Sequence, residues 1–152
     1  MGHSEWITKE NAATFEIRVG DINYGGHMGN DKALLVFHDA RILFLKSLGF
    51  SENNIGGPGI IMRDAHVSFR KELYLHDMLA ADVGIENVSS SAFEMIYTVR
   101  RIVSGQQSAV GGQRSVDDEV VFTGSTGLVA FDYSIKRPVR LPEEFLGKIA
   151  GK

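Results

Sequence analysis

The spacing of apolar positions changes twice along this chain, and those changes predict its elements. Residues 12–19, "AATFEIRV", set Phe15, Ile17 and Val19 against Glu16 and Arg18, the alternation of a half-buried strand. From Asp31 to Leu48, "DKALLVFHDARILFLKSL", there is no Gly or Pro. Leu34, Leu35, His38, Ile42 and Leu45 fall three or four apart, while Val36, Phe37, Leu43 and Phe44 cover other faces. That pattern predicts one long helix, apolar nearly all round and therefore buried. Asn30 or Asp31 suits its N-cap and Gly49 its C-terminal stop.

After the loop-like "SENNIGGPG" (51–59) the period falls to two. Residues 60–73, 78–88, 92–103 and 119–133 all read as strands. "ENVSSSA" is a turn between two of them, and the polar stretch 104–118 is a hairpin tip or loop. "RPVRLPEEFLGKIAG" closes with an extended segment and one short helix after Pro142. One strand, one long buried helix and four long strands suggest an α+β fold in which an antiparallel sheet of about five strands wraps the helix. The 152 residues form a single domain without an internal repeat. Strand edges left over predict a dimer that continues the sheet.

Composition narrows the function classes. Apolar residues make up 43% and charged residues 23%, which marks an ordinary globular chain rather than a disordered one. A formal net charge of −3 argues against broad binding to nucleic acid or to an anionic membrane surface. The absence of cysteine excludes disulfides, thiolate zinc sites and a cysteine nucleophile. His38, Asp39, Arg41 and Lys46 interrupt the apolar run of residues 33–48, so it is no bilayer span. "MGHSEWITKENAA" lacks the layout of a secretion signal, and a cytoplasmic location is expected.

Several segments then carry a resemblance. "GDINYGGHMGND" (20–31) resembles the D-x-D-x-x-G-H-x-x-N segment that enters the central helix of hotdog-fold acyl-CoA thioesterases, the 4-hydroxybenzoyl-CoA thioesterase-like group. "FHDAR" (37–41) resembles the F-x-E-x-A-R stretch of that helix. "VSFRKELYLHDMLAADV" resembles the family's strand pair around G-D-x-L, and "TGLVAFDYSIKRPVRLP" (126–142) its last strand. The likeness covers residues 13–146 and implies hydrolysis of a fatty or aromatic acyl thioester of coenzyme A by a homodimer or dimer of dimers, without a cofactor. Two departures stand out. Asn23 occupies the position where the 4-hydroxybenzoyl-CoA branch carries a catalytic aspartate, and a related group with D-x-N-x-x-G pairs the asparagine with an acid from a partner protomer. His76-Asp77 replaces the usual G-D.

Thioester hydrolysis needs an activated water, donors for the oxyanion and a grip on an anionic substrate. Unpaired N–H groups and the positive dipole end at the helix start suit the oxyanion, with the backbone of Gly26, His27 or Met28 as candidate donors. Asn23 takes no proton at neutral pH, but its amide can hold the water. The base is then Asp39 supplied across a dimer interface, His27 or Asp21, in that order of preference. Arg70, Lys71, Arg100 and Lys136 are candidate partners for the phosphates of coenzyme A. His27, His66 and His76 show no metal-ligand spacing, so no metal is expected.

The same residues also have ordinary roles. Asn30 and Asp31 serve as caps, Asp39 as the partner of Arg41 or Lys46, and His38 as a hydrogen-bonded core histidine. Asn23 and His27 then only hold a loop by Asx-type bonds. A non-catalytic acyl-CoA-binding protein and a hotdog enoyl-CoA hydratase are the competing functions, the second weakened by the absence of a proline from "GDINYGGH".

Overall fold

The computed structural model describes residues 6–102 and 118–151. Six strands run as β1 (Thr8–Glu16), β2 (Gly59–Phe69), β3 (Met78–Glu86), β4 (Ala92–Ile102), β5 (Glu119–Asp132) and β6 (Arg137–Pro138). Two α-helices accompany them, α1 (Ala33–Ser47) and α2 (Glu143–Ile149). The sheet is antiparallel throughout, in the order β1-β3-β4-β5-β2, with the short β6 beside β5. This is the predicted architecture, one long helix held by a curled sheet of about five strands. Most of the predicted 104–118 loop lies outside the described residues.

The helix is fixed to the sheet by its inner face. Val36, Phe37, Ala40, Phe44 and Leu45 are all buried there. Each large apolar side chain so placed stabilises the fold by about 1.5–3 kcal/mol. Phe37 stacks on Tyr97 of β4 with ring centroids 4.2 Å apart and planes 8° apart. It approaches β5 so closely that a Cβ on Gly124 would lie 2.5 Å from its ring. A buried polar chain runs beside this stack. Arg41, at 7% exposure, donates to Tyr97 Oη at 3.0 Å, and Tyr97 shares a 2.8 Å hydrogen bond with Thr126. Arg41 also donates to Glu52 at 2.6 Å, and His38 Nε2 lies 3.0 Å from the other oxygen of that carboxylate.

Four expectations need correction. The helix is not buried all round: Leu34, Leu35, Ile42 and Leu43 are exposed, because the sheet of one chain covers only one side. His38 is not a core histidine, since its side chain is 46% exposed while it tethers the Glu52 loop. Arg41 pairs with Glu52 rather than Asp39. Neither Asn30 nor Asp31 caps by its side chain, because a 3₁₀ turn over Asn30–Lys32 leads into α1 and moves the entry to Gly29. Boundaries shift for local reasons. β1 stops at Glu16 ahead of a 3₁₀ turn over Val19–Asp21. β2 stops at Phe69, where the N–H groups of Arg70 and Lys71 both turn to the Val121 carbonyl.

Candidate active site

The 20–31 loop is a web of short-range hydrogen bonds that brings the chain from β1 to α1. Asp21 Oδ2 accepts from the Arg18 N–H at 2.8 Å and the Asp21 carbonyl accepts from Gly29 at 2.9 Å, so Asp21 clamps the base of the loop. Asn23 makes an Asx turn, its Oδ1 accepting from the Gly25 N–H at 2.8 Å. The Asn23 N–H bonds the His27 carbonyl at 2.9 Å, and Gly26, at φ +85°, donates to the Asn23 carbonyl at 3.1 Å. Met28 N–H crosses to the Leu73 carbonyl at 2.7 Å, which fastens the loop to the segment between β2 and β3.

Between that loop and segment lies a pocket of about 350 Å³, lined by His27, Met28, Asn30, Phe69, Arg70, Lys71, Glu72, Leu73 and Phe122. Its wall is apolar and aromatic where Phe69 and the buried Phe122 meet with centroids 6.0 Å apart. Its rim is charged. Of the residues singled out from sequence, His27, Met28, Arg70 and Lys71 converge on it.

The imidazole of His27 is oriented. Nδ1 lies 3.3 Å from the Met28 carbonyl, which only accepts, a contact that suits the neutral tautomer with its proton on Nδ1 and its lone pair on Nε2. Nε2 lies 3.8 Å from Glu72 Oε2, and Glu72 Oε1 accepts from the Tyr74 hydroxyl at 2.8 Å. Gly25 leaves open the space between Asn23 and His27. A Cβ there would sit 3.1 Å from His27 Nε2 and 3.4 Å from Asn23 Oδ1, so both head groups face one point.

The N–H groups of the loop divide into two sets. Gly26 and Met28, both considered from sequence as oxyanion donors, already donate to Asn23 and Leu73. At the helix start, Asn30 and Asp31 have N–H groups with no acceptor among the described residues, and Asn30 lines the pocket. The dipole of α1 adds to their partial positive charge.

Other predicted residues lie elsewhere. Asp39 is half-buried near the middle of α1, flanked by the exposed Leu35, Ile42 and Leu43, with no hydrogen bond or ion pair among the described residues. Arg100 is engaged by both oxygens of Asp82, by Asp118 at 2.9 Å and by Asn11 at 2.6 Å. Lys136 sits in the turn after β5, on the far side of Phe131 from Phe122. The stretch of β5 from Phe122 to Phe131 separates the two by roughly 30 Å at about 3.3 Å per residue. Arg70, in contrast, is exposed with no side-chain partner among the described residues, and Lys71 is 3.9 Å from Glu119.

Two polar lining residues, Glu72 and Asn30, were missed from sequence, as were the apolar Phe69, Leu73 and Phe122. Glu72 follows the basic pair in "FRKEL", where an acid breaking a basic run was the available signal. Asn30 was weighed only as a cap. The replaced G-D pair has a clear structural reading. His76 adopts φ +72°, the left-handed conformation that glycine takes freely, and Asp77 Oδ2 accepts from the Tyr74 N–H at 2.9 Å and from Arg101 at 3.1 Å. Among the described residues no three His, Asp or Glu side chains form a metal-binding group, and no helix is long and apolar enough to cross a membrane.

Comparison with known proteins follows the same lines. The fold matches 4-hydroxybenzoyl-CoA thioesterase, in an aspartate-to-asparagine mutant complexed with 4-hydroxybenzoyl-CoA, with TM-score 0.76 at 17% identity over 97% of this chain and 100% of that one. It matches a 1,4-dihydroxy-2-naphthoyl-CoA thioesterase from Synechocystis with TM-score 0.74 at 16% identity, over 93% and 95% of the two chains. A Staphylococcus aureus protein solved in complex with CoA gives TM-score 0.75 at 16% identity, over 97% and 85%. No curated protein matches the sequence. The model of the thioesterase-like superfamily matches residues 17–149, nearly the whole chain. The chain belongs to that superfamily of hotdog-fold proteins, whose general activity is the hydrolysis of acyl-CoA thioesters.

Proposed function

We propose that this chain hydrolyses an acyl-CoA thioester in the pocket beside the 20–31 loop, with His27 as the general base. One observation carries the reading: a single pocket gathers the His27 imidazole with the Asn30 N–H at the helix start and the Arg70 guanidinium, the last two without a partner among the described residues. The thioester oxygen rests on the Asn30 N–H and the dipole end of α1. Water against His27 Nε2 bonds to the carbonyl carbon as one proton passes to Nε2. Collapse of the tetrahedral intermediate breaks the C–S bond, and His27 returns that proton to the departing thiolate. The Asn23 side-chain oxygen, Oδ1, accepts from the Gly25 N–H, which leaves the amide NH₂ to bond the water or the developing oxyanion. Arg70 and Lys71 at the rim meet the phosphates of coenzyme A, while the engaged Arg100 and the remote Lys136 take no part. The apolar wall of Phe69, Leu73 and Phe122 receives the acyl group.

Assembly belongs to the same reading. β2 is an edge strand that exposes Ile61 and Met62, and α1 exposes Leu34, Leu35, Ile42 and Leu43. A second copy covers these surfaces and continues the sheet. Asp39, unpaired within that helix stripe, then faces the partner, which favours it as a second candidate for the base.

The test is release of free coenzyme A from short, long and aromatic acyl-CoAs, with His27→Ala, Asn23→Ala and Asp39→Asn beside the parent. Loss of about 10²–10⁴-fold in kcat for His27→Ala is expected, with Asp39→Asn within about threefold of the parent. The opposite pattern transfers the base to Asp39 of a partner. Tight acyl-CoA binding without turnover by the parent replaces hydrolysis with a binding function.

A further inference from the structure

We infer that Glu72 is the second anchor of the hydrolytic water, sharing it with His27 and held in place for that task by Tyr74. This role rests on the hydrolase reading above and extends it to residues outside the helix-entry loop.

The argument starts from proton inventory. His27 Nδ1 faces the Met28 carbonyl at 3.3 Å, and in the neutral tautomer that donates to that carbonyl Nε2 accepts. The neighbour of Nε2 is Glu72 Oε2 at 3.8 Å, which is also an acceptor. Two acceptors at that separation do not bond each other. They bond a common donor, and a water placed against both gives one O–H to Nε2 and the other to the carboxylate. Its oxygen lone pairs then point away from both anchors, into the pocket that Asn30, Phe122 and Leu73 line. A base that grips only one proton leaves the nucleophile free to rotate; two grips fix its attack direction, the kind of orientation that lowers the barrier.

Glu72 is built for such a position. Its side chain is 63% exposed and has no lysine or arginine partner among the described residues, so nothing fixes it from the basic side. What fixes it is the Tyr74 hydroxyl, which donates to Oε1 at 2.8 Å and leaves Oε2 turned to His27. The same carboxylate holds the tyrosine hydroxyl proton, raising the Tyr74 pKa. The backbone beneath is fixed as well. Leu73 carbonyl accepts from Met28, and Tyr74 N–H donates to Asp77. In the step itself, one water proton moves to Nε2 while the oxygen bonds to the thioester carbon, and the other stays on that oxygen, bonded to Glu72. Breaking the C–S bond takes the proton from Nε2 to the thiolate, so the carboxylate is unchanged throughout.

The experiment measures kcat and KM separately for Glu72→Ala, Glu72→Gln and Tyr74→Phe, with melting temperature recorded for each. Glu72→Ala is expected to lower kcat by about 10²-fold with KM near the parent value. Added formate is expected to recover part of that loss, since the position is open to solvent and a small carboxylate can replace the missing one. Glu72→Gln is expected to be no better than alanine, because its NH₂ can donate to Nε2 and occupy the base. Tyr74→Phe, which leaves the carboxylate present but loose, is expected to lower kcat by several-fold and keeps the inference testable if Glu72 variants fold poorly. Parent-like kcat in Glu72→Ala, or a loss that follows melting temperature and ignores formate, overturns the inference. His27→Ala inactive beside a fully active Glu72→Ala would leave the hydrolase reading standing and remove only this role. A parent that turns over no acyl-CoA removes both.

Discussion

Neighbouring glycines in the entry loop separate chemistry from fold. An alanine Cβ at position 25 would stand 3.1 Å from His27 Nε2, tighter than ordinary van der Waals contact, and 3.4 Å from Asn23 Oδ1, at its near limit. Both atoms end side chains, so the ring or the amide moves by a few tenths of an ångström and the backbone stays. Gly25 is not among the glycines at positive φ, which means alanine takes its conformation without strain. Reduced freedom of the unfolded chain then stabilises by about 0.4–1 kcal/mol, enough to offset the crowding. Position 26 is the reverse case. Its φ is +85° and nothing lies within 4 Å of a Cβ, so alanine meets no atom but adopts the left-handed region. That costs about 1–2 kcal/mol.

For a chain of this length each kcal/mol moves the melting temperature by about 2–4 °C. Gly26→Ala is therefore expected to melt roughly 2–8 °C lower, with kcat of the folded protein within about threefold of the parent. Gly25→Ala is expected to melt at or slightly above the parent and to lose about tenfold in kcat, a fraction of the 10²-fold that a displacement of about 1 Å can cost. The assay is thiol release from an acyl-CoA that the parent accepts, beside thermal unfolding followed by circular dichroism. Full kcat in Gly25→Ala would refute the reasoning, since the base could not then be the nitrogen that the new methyl displaces.

The remaining predictions concern stability, substrate grip and assembly. Burial pushes the Glu52 carboxyl up, but hydrogen bonds from Arg41 and His38 outweigh it and hold its pKa below the ordinary value. A depressed carboxylate adds stability above its unfolded pKa and loses it as pH falls through the folded one, so the parent's melting temperature should drop more steeply on acidification than that of Glu52→Gln. At neutral pH Glu52→Gln should cost about 1–3 kcal/mol, because Arg41 is left buried without its anion. Arg70→Ala should raise KM by about tenfold, equivalent to ~1.4 kcal/mol, at constant kcat, whereas Lys136→Ala should leave KM unchanged. Ile42→Glu with Leu43→Glu should convert a dimer to monomers in light scattering; a parent that is already monomeric would refute the assembly.

Local signals carried most of the fold into the sequence. The helix was legible because no Gly or Pro interrupts residues 31–48, and the strands because their period is two. Its burial was over-read, since an apolar residue on every face does not say which faces one chain can cover; Leu34, Leu35, Ile42 and Leu43 stay open. Arg41 was given the wrong partner because Glu52 is eleven residues away, around a loop whose path no periodicity records. His76 shows the converse. Its φ of +72° is the left-handed conformation that glycine takes freely, so a histidine stands where the resemblance had placed a glycine and the turn is made all the same.

The candidate site was only partly legible in the sequence, for a reason that lies in the loop's own backbone. Turning the chain from β1 into α1 engages the N–H groups of Asp21, Ile22, Asn23, Gly25, Gly26, Met28, Gly29 and Lys32 in bonds to nearby oxygens. Dense glycine and Asx residues announce a loop of that kind, but they do not say which donors remain. Among the described residues, those without an acceptor include His27, Asn30 and Asp31, the positions nearest the pocket and the helix dipole. Gly26 and Met28, named from sequence as oxyanion donors, are therefore engaged in holding the turn, while the third candidate, His27, keeps its N–H without an acceptor among the described residues, as do Asn30 and Asp31 where the turn ends. Glu72 and Arg70 join them only because Met28 is bonded to Leu73 across the fold, a contact between segments more than forty residues apart. A loop that satisfied every one of its own N–H groups would make the same turn and hold no oxyanion, so the unsatisfied end is where chemistry is to be sought.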